Sequence, residues 1–149
     1  MDYRYDLCYE CMKPHDFGTW CQSCNTKRFQ QNFKNWTSGN HNIDEFIQNA
    51  QLKAKNDEEV LEWIEYDGFK NIEYFAKVGF GIACEAIWKV GNIVGWNYKN
   101  NQWDRWGERR VALKCLHNSQ NISNEFLNEV CKFLINLILN TLIFTYFYV

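Results

Sequence analysis

The sequence predicts an α+β protein built in series: a cysteine-organised module, a helical linker, an antiparallel sheet followed by one long helix, and an apolar C-terminal helix. Three observations carry this reading. Two Cys-x2-Cys pairs stand close together near the start. The apolar spacing then changes from helical to strand-like and back again. Residues 133–149 hold no charged side chain. The boundaries that follow are 1–36 for the module, 37–66 for the linker, 67–132 for the sheet and its helix, and 133–149 for the tail.

Residues 6–28 are rich in cysteine and turn formers and show little periodicity, as expected of loops organised around a metal. Thr37-Ser38-Gly39-Asn40 is a turn cluster. Ile43, Phe46, Ile47 and Ala50 then recur at helical spacing, with Asn42 as the candidate cap. Residues 55–59 form a polar connector, and 60–64 a short apolar stretch of open type. Strands are predicted at 72–76 and 83–88, with Val78-Gly79-Phe80-Gly81 as the turn between them. Residues 91–110 are aromatic, polar and Gly-punctuated, which suits a long hairpin loop, and 110–116 reads as a further strand. Ser123 is a candidate cap for the long helix, and Glu125 places negative charge in its first turn. Phe126, Val130, Phe133, Leu134 and Leu137 continue its apolar stripe.

Charge is nearly balanced, with 16 basic and 18 acidic residues, so there is no electrostatic footprint for nucleic acid. Seven cysteines raise the question of a disulfide framework. Their odd number, the absence of an apolar leader in residues 1–7, and the tight pairing of four of them favour metal ligation in a reducing compartment instead. Cys8-x2-Cys11 and Cys21-x2-Cys24 are separated by nine residues, among them Pro14 and Gly18. A two-residue gap lets one turn present both thiolates to the same ion, and two such turns close a tetrahedral shell. Cys8, Cys11, Cys21 and Cys24 are therefore the expected ligands of a structural Zn2+, whose binding would supply folding free energy to a module too small to bury enough surface. His15 lies between the pairs and reads as a loop residue. Cys84, Cys115 and Cys131 read as small buried side chains.

A second constellation lies further along. Ala76-Lys77-Val78-Gly79-Phe80-Gly81-Ile82-Ala83 sits between two strands, Val111-Ala112-Leu113-Lys114 ends a third, and Asn124-Glu125-Phe126-Leu127-Asn128-Glu129-Val130 follows on a helix. A Gly-rich hairpin brings backbone N–H groups close to phosphates. A strand-borne lysine sets one positive charge at the α/β-phosphates, and a glutamate on the next helix fixes its direction. Lys114 and Glu129 fit those two roles.

With these residues quoted, the chain resembles a large, lineage-expanded family of fungal protein kinases that carry an N-terminal four-cysteine module. The resemblance covers about residues 3–132. It rests on Cys8, Cys11, Trp20, Cys21, Cys24, Asn25, Arg28, Phe29, Asn32, Phe33 and Trp36, on Ile43-Asp44-Glu45-Phe46-Ile47-Gln48 and Leu61-Glu62-Trp63-Ile64, and on Phe75-Ala76-Lys77, Gly79-Phe80-Gly81, Ala86-Ile87-Trp88, Val111-Ala112-Leu113-Lys114-Cys115-Leu116 and Glu125-Phe126-Leu127-Asn128-Glu129. It implies a partial kinase N-lobe, with an antiparallel sheet and an αC helix. It also implies an ATP site formed by Lys77, Val78, Gly79, Phe80, Gly81, Ala83, Lys114 and Glu129. The family hairpin resembles Lys-Gly-Gly-Phe-Gly-Thr-Val-Tyr-Lys-Ala. Here Val78 replaces the first of the paired glycines, Ala83 the valine that covers the base, and Cys84 the tyrosine. Each change weakens phosphate cradling or base contact. Residues 91–109 read as an insertion between the second and third strands.

No His-Arg-Asp catalytic loop or Asp-Phe-Gly metal motif follows the helix, so no catalytic residue is assigned. The expectation is a truncated, kinase-like protein that binds ATP weakly at most and transfers no phosphate. Two alternatives stand beside it: an interaction adaptor working through its zinc module, with the kinase part vestigial, and a tail-anchored membrane protein. The expected partner is a protein, bound through the module or the exposed sheet, with no nucleic acid and a membrane only through 133–149. The expected location is the cytoplasm, or a membrane if the tail anchors the chain. As a helix the tail would be ~25 Å long at 1.5 Å per residue, borderline for a span of ~20 residues. It reads as the end of a truncated gene product, as an anchor, or as a helix covering the sheet.

Overall fold

The computed structural model describes residues 7–15, 20–78, 81–116 and 146–148. Among the described residues two α-helices, α1 (Gln22–Asn32) and α2 (His41–Lys53), come first. Six strands follow: β1 (Phe69–Val78), β2 (Gly81–Trp88), β3 (Ile93–Asn97), β4 (Gln102–Arg105), β5 (Arg109–Leu116) and β6 (Tyr146–Tyr148). The chain divides into two compact units. One comprises Met1–Trp63 together with Asn92–Arg105, and the other Ile64–Gly91 together with Trp106–Val149.

In the first unit, α1 buries Cys24, Asn25 and Phe29 along one face. This helix lies where the sequence predicts only metal-organised loops. The prediction missed it because its Gln-, Lys- and Arg-rich remainder leaves few apolar positions to show a period. Helix α2 buries Ile43, Ile47 and Gln51, one residue per turn. Its cap is Asn40 rather than the predicted Asn42: the Asn40 side chain accepts from the N–H groups of Asn42 and Ile43 at 3.0 and 3.4 Å. Asp44, in the first turn, accepts from the Ser38 N–H at 2.7 Å and from the Thr37 and Ser38 hydroxyls at 2.5 Å each. At the other end, the last carbonyls of a helix lack internal partners. Thr26 donates to Leu52 O, Gln22 to Lys53 O and Trp20 Nε1 to Ala54 O, at 3.3, 3.4 and 3.3 Å. The linker helix is thereby pinned to the start of α1.

The stretch 91–110, predicted as a loop, contains an antiparallel hairpin of β3 and β4 that pairs Trp96 with Trp103 and Asn97 with Gln102. Asn97 closes the turn by accepting from the N–H groups of Lys99 and Asn100 at 3.1 and 3.0 Å. The hairpin belongs to the first unit's core. Ile93 is buried with Trp20, Phe29 and Ala54, and Trp103 packs against them with its ring stacked 4.7 Å from Phe29 and 6.1 Å from Trp20. Glu62 accepts from Arg105 Nη1 and Nη2, at 3.3 and 2.6 Å, and from the Ile93 N–H at 3.2 Å.

The described residues of the second unit include a four-stranded sheet of order β1-β2-β5-β6. Strands β2 and β5 pair without interruption from Gly81↔Leu116 to Trp88↔Arg109, and β1 pairs antiparallel with β2. Phe69, Cys84, Ala86, Trp88, Val111 and Leu113 form its buried core, with Cys84, Ala86 and Trp88 alternating down one face of β2. Chain reversal beyond β2 brings Gly91 and Gly107 together. Gly91 has φ +68, and a Cβ there would lie 2.2 Å from the Gly107 carbonyl oxygen. Gly107 N–H donates to Val90 O at 3.1 Å.

The tail departs from its predicted apolar helix at residues 146–148. Residues 146–148 form a strand parallel to β5, pairing Lys114 with Tyr146 and Leu116 with Tyr148, and not the end of an apolar helix. Tyr-Phe-Tyr is a strand-favouring triplet, and the edge of β5 offers it backbone partners. The predicted αC helix and residues 133–145 lie outside the described residues. Among the described residues, no helix is long and apolar enough to cross a membrane.

Candidate metal centre

Two local structures present the four cysteines. In the first, residues 8–13 curl back on themselves. Cys8 N–H donates to Lys13 O at 2.8 Å, Met12 N–H donates to Cys8 O at 2.9 Å, and Leu7 bridges Pro14. Met12 turns the chain with φ 56, a left-handed conformation rarely taken by a residue with a side chain. In the second, Cys21 is the N-cap of α1 and Cys24 lies in its first turn, with Cys21 O accepting from Asn25 N–H at 3.0 Å. A helix N-terminus carries partial positive charge that favours thiolates.

The two structures converge. Cys8 Sγ lies 3.8 Å from Cys24 Sγ, Cys11 Sγ lies 3.6 Å from Cys21 Sγ, and all four sulfurs fall within 4.8 Å of one another. Cys8, Cys21 and Cys24 are buried and Cys11 is half-buried. These separations are far beyond the ~2.05 Å of a disulfide, and the cysteines are free thiols. The cluster is compatible with a metal site formed by the four residues the spacing predicts. His15 is not among the grouped ligand atoms.

A fifth residue reaches the cluster from far along the sequence. Tyr98, at the tip of the β3–β4 hairpin, sets its hydroxyl 3.3 Å from Cys8 Sγ, and Tyr9 packs edge-on against its ring at 5.6 Å. Arg28 lies over Trp96 at 4.2 Å and Tyr98 at 5.5 Å, donates to Asn25 Oδ1 at 2.6 Å, and pairs with Glu10. Composition showed 91–110 to be aromatic, but no spacing rule links Tyr98 to a cysteine ninety residues earlier.

Burial opposes ionisation of Cys8, Cys21 and Cys24. At Cys8 it is outweighed by hydrogen bonds from the Tyr98 hydroxyl and the backbone of Cys11 and Glu10, which bring the thiol down to about 5. At Cys21 and Cys24 burial prevails, reinforced by the neighbouring sulfurs, and both thiols are pushed up. Burial also pushes up the Tyr98 phenol, and the Cys8 thiolate beside it adds to the effect, so Tyr98 stays a donor. Four sulfurs this close cannot all ionise without a cation among them. A divalent ion would supply the missing charge and release protons as it binds.

The residues predicted to contact nucleotide are only partly brought together. Ala83 is buried on β2, opposite Ala76 on β1 and Lys114 on β5, so the three share one row of the sheet. Val78 and Gly81 face each other where β1 passes into β2. Lys77 is exposed on β1. Gly79, Phe80 and Glu129 lie outside the described residues, as does any meeting of Lys114 with Glu129. Compared with protein-family models, curated proteins and solved structures, the chain finds no match in any of the three.

Proposed function

We propose that the first unit is a structural zinc module and that the chain works as a zinc-organised interaction protein. The observation that carries this reading is the sulfur geometry. Zinc–thiolate bonds of about 2.3 Å in a tetrahedron give sulfur–sulfur edges of about 3.8 Å. The two sulfur–sulfur contacts here are 3.8 and 3.6 Å. Four thiolates close the shell and leave no position for substrate, so the ion holds structure and performs no chemistry. Leu7, Tyr9 and Met12 are exposed on the first cysteine turn, and exposed apolar side chains of this kind support contact with another protein. Metal analysis of purified protein tests the zinc assignment. One zinc per chain, lost in Cys24→Ser, is expected; a folded protein free of metal would remove it.

The second unit supports another reading of the same chain, as the opening strands of a kinase-like nucleotide site. The feature in its favour is the row formed by Ala76, Ala83 and Lys114 on three antiparallel strands, which puts the lysine strand beside the Gly-rich hairpin. Binding would be weak, since Val78 and Ala83 replace the residues that favour phosphate and base. This reading covers nucleotide contact alone, since phosphoryl transfer also needs a catalytic base and metal-binding carboxylates, roles it assigns to none of these residues. Nucleotide titration with a Lys114→Ala control tests this. Weak binding abolished by the substitution is expected, and an absent or identical response in both proteins leaves only the zinc-module reading.

A further inference from the structure

We propose that Tyr98 is a positioning residue of the metal centre, and that the β3–β4 hairpin docks onto the cysteine module in step with metal loading. This rests on the zinc reading and extends it. A thiolate ligand keeps lone pairs after binding a metal, and a donor aimed at one of them fixes its direction and lowers its charge; such outer partners affect metal affinity strongly. Tyr98 is placed for that role, with its hydroxyl 3.3 Å from the sulfur of Cys8, which is 0% exposed. A metal-bound thiolate can only accept, so the phenol donates.

The hairpin is fitted for this task beyond the one contact. Tyr98 follows directly on β3, and Asn97, the last residue of that strand, fixes the turn through two backbone N–H bonds. Arg28, on the same helix as Cys24, lies against both Trp96 and Tyr98. Trp103 stacks on Phe29, the next residue of that helix. The start of α1 therefore holds two cysteines, and its second turn holds the hairpin. Setting the cysteines with a metal orders the helix face on which the hairpin rests. The insertion thus completes the metal module, although it lies between two strands of the other sheet in the sequence.

Hydrogen exchange of the full-length chain, with zinc and after chelation, tests the coupling. Amides of 93–105 should exchange at least tenfold faster without metal, while the β2–β5 amides change little. In Tyr98→Phe, which keeps the ring and loses only the hydroxyl, the zinc dissociation constant should rise about 10- to 100-fold. The cobalt–thiolate absorption of the same variant should move to longer wavelength, a shift that loss of packing alone would not produce. A wild-type chain that binds no zinc overturns the zinc reading and this one with it. A chain that binds zinc, with hairpin exchange indifferent to metal and affinity unchanged in Tyr98→Phe, overturns this inference alone. Should Tyr98→Phe fail to fold, wild-type exchange decides: metal-dependent hairpin protection upholds the coupling and metal-independent protection ends it.

Discussion

Replacing Gly91 by alanine should weaken the second unit's sheet by about 2–3 kcal/mol, a figure assembled from two local costs. The residue has φ +68, and a side chain in that left-handed region costs about 1–2 kcal/mol. The new Cβ would also sit 2.2 Å from the Gly107 carbonyl oxygen, where real side-chain contacts essentially never come under 3.0 Å. The two backbone segments must then part, stretching the 3.1 Å bond from Gly107 N–H to Val90 O. Loss of that bond costs about 1 kcal/mol. Gly107→Ala separates the terms: its φ is +92, but nothing lies within 4 Å of its Cβ, so only the first cost applies. Gly95→Ala, also with nothing within 4 Å, is a neutral control in the hairpin. Hydrogen exchange at the β2–β5 amides is the appropriate assay, because it reads the opening of this sheet separately from that of the cysteine module. Equal effects of Gly91→Ala and Gly107→Ala would show that the close approach costs nothing and would refute the reasoning.

Two further substitutions probe the first unit. Glu62→Ala removes a largely buried acceptor, 13% exposed, and takes its carboxylate away from the Arg105 guanidinium and the Ile93 N–H. It should destabilise the hairpin by about 2–3 kcal/mol, measurable by urea unfolding of the zinc-loaded chain. Asp44 governs part of the acid sensitivity. Burial raises its carboxyl, but the bonds from Ser38 and Thr37 outweigh this and leave it below the usual value. A depressed folded pKa means its contribution is complete above the unfolded carboxylate range, near about 3.9, and is lost as pH falls through the folded value. Asp44→Asn should therefore lower stability at neutral pH, with the gap to wild type closing below about pH 4. A gap that is constant with pH would contradict the assignment.

What the sequence revealed follows the reach of its signals. Cys8, Cys11, Cys21 and Cys24 were legible because metal spacing is local and chemically specific, and the four sulfurs do gather. Strands β1, β2 and β5 were legible from β-branched and aromatic runs bounded by glycine. Helix α1 was hidden because its buried face holds Cys24 and Asn25 beside a lone Phe29, a pattern unlike an apolar stripe. The hairpin was mistaken for a loop because Gly95 and the asparagines at 97, 100 and 101 dilute its alternation. Its stability comes instead from Trp103 and Ile93 packing on residues more than sixty positions earlier, such as Trp20 and Phe29. That is tertiary context, which no local pattern encodes. The cap moved from Asn42 to Asn40 because the helix begins at His41, one residue before the predicted cap, so the cap falls at residue 40.

X-ray absorption at the zinc edge of the purified full-length protein bears most directly on the central claim. The expected spectrum shows one zinc per chain surrounded by four sulfur atoms at about 2.3 Å. A shell containing nitrogen or oxygen, or a folded protein with no zinc edge, would contradict it.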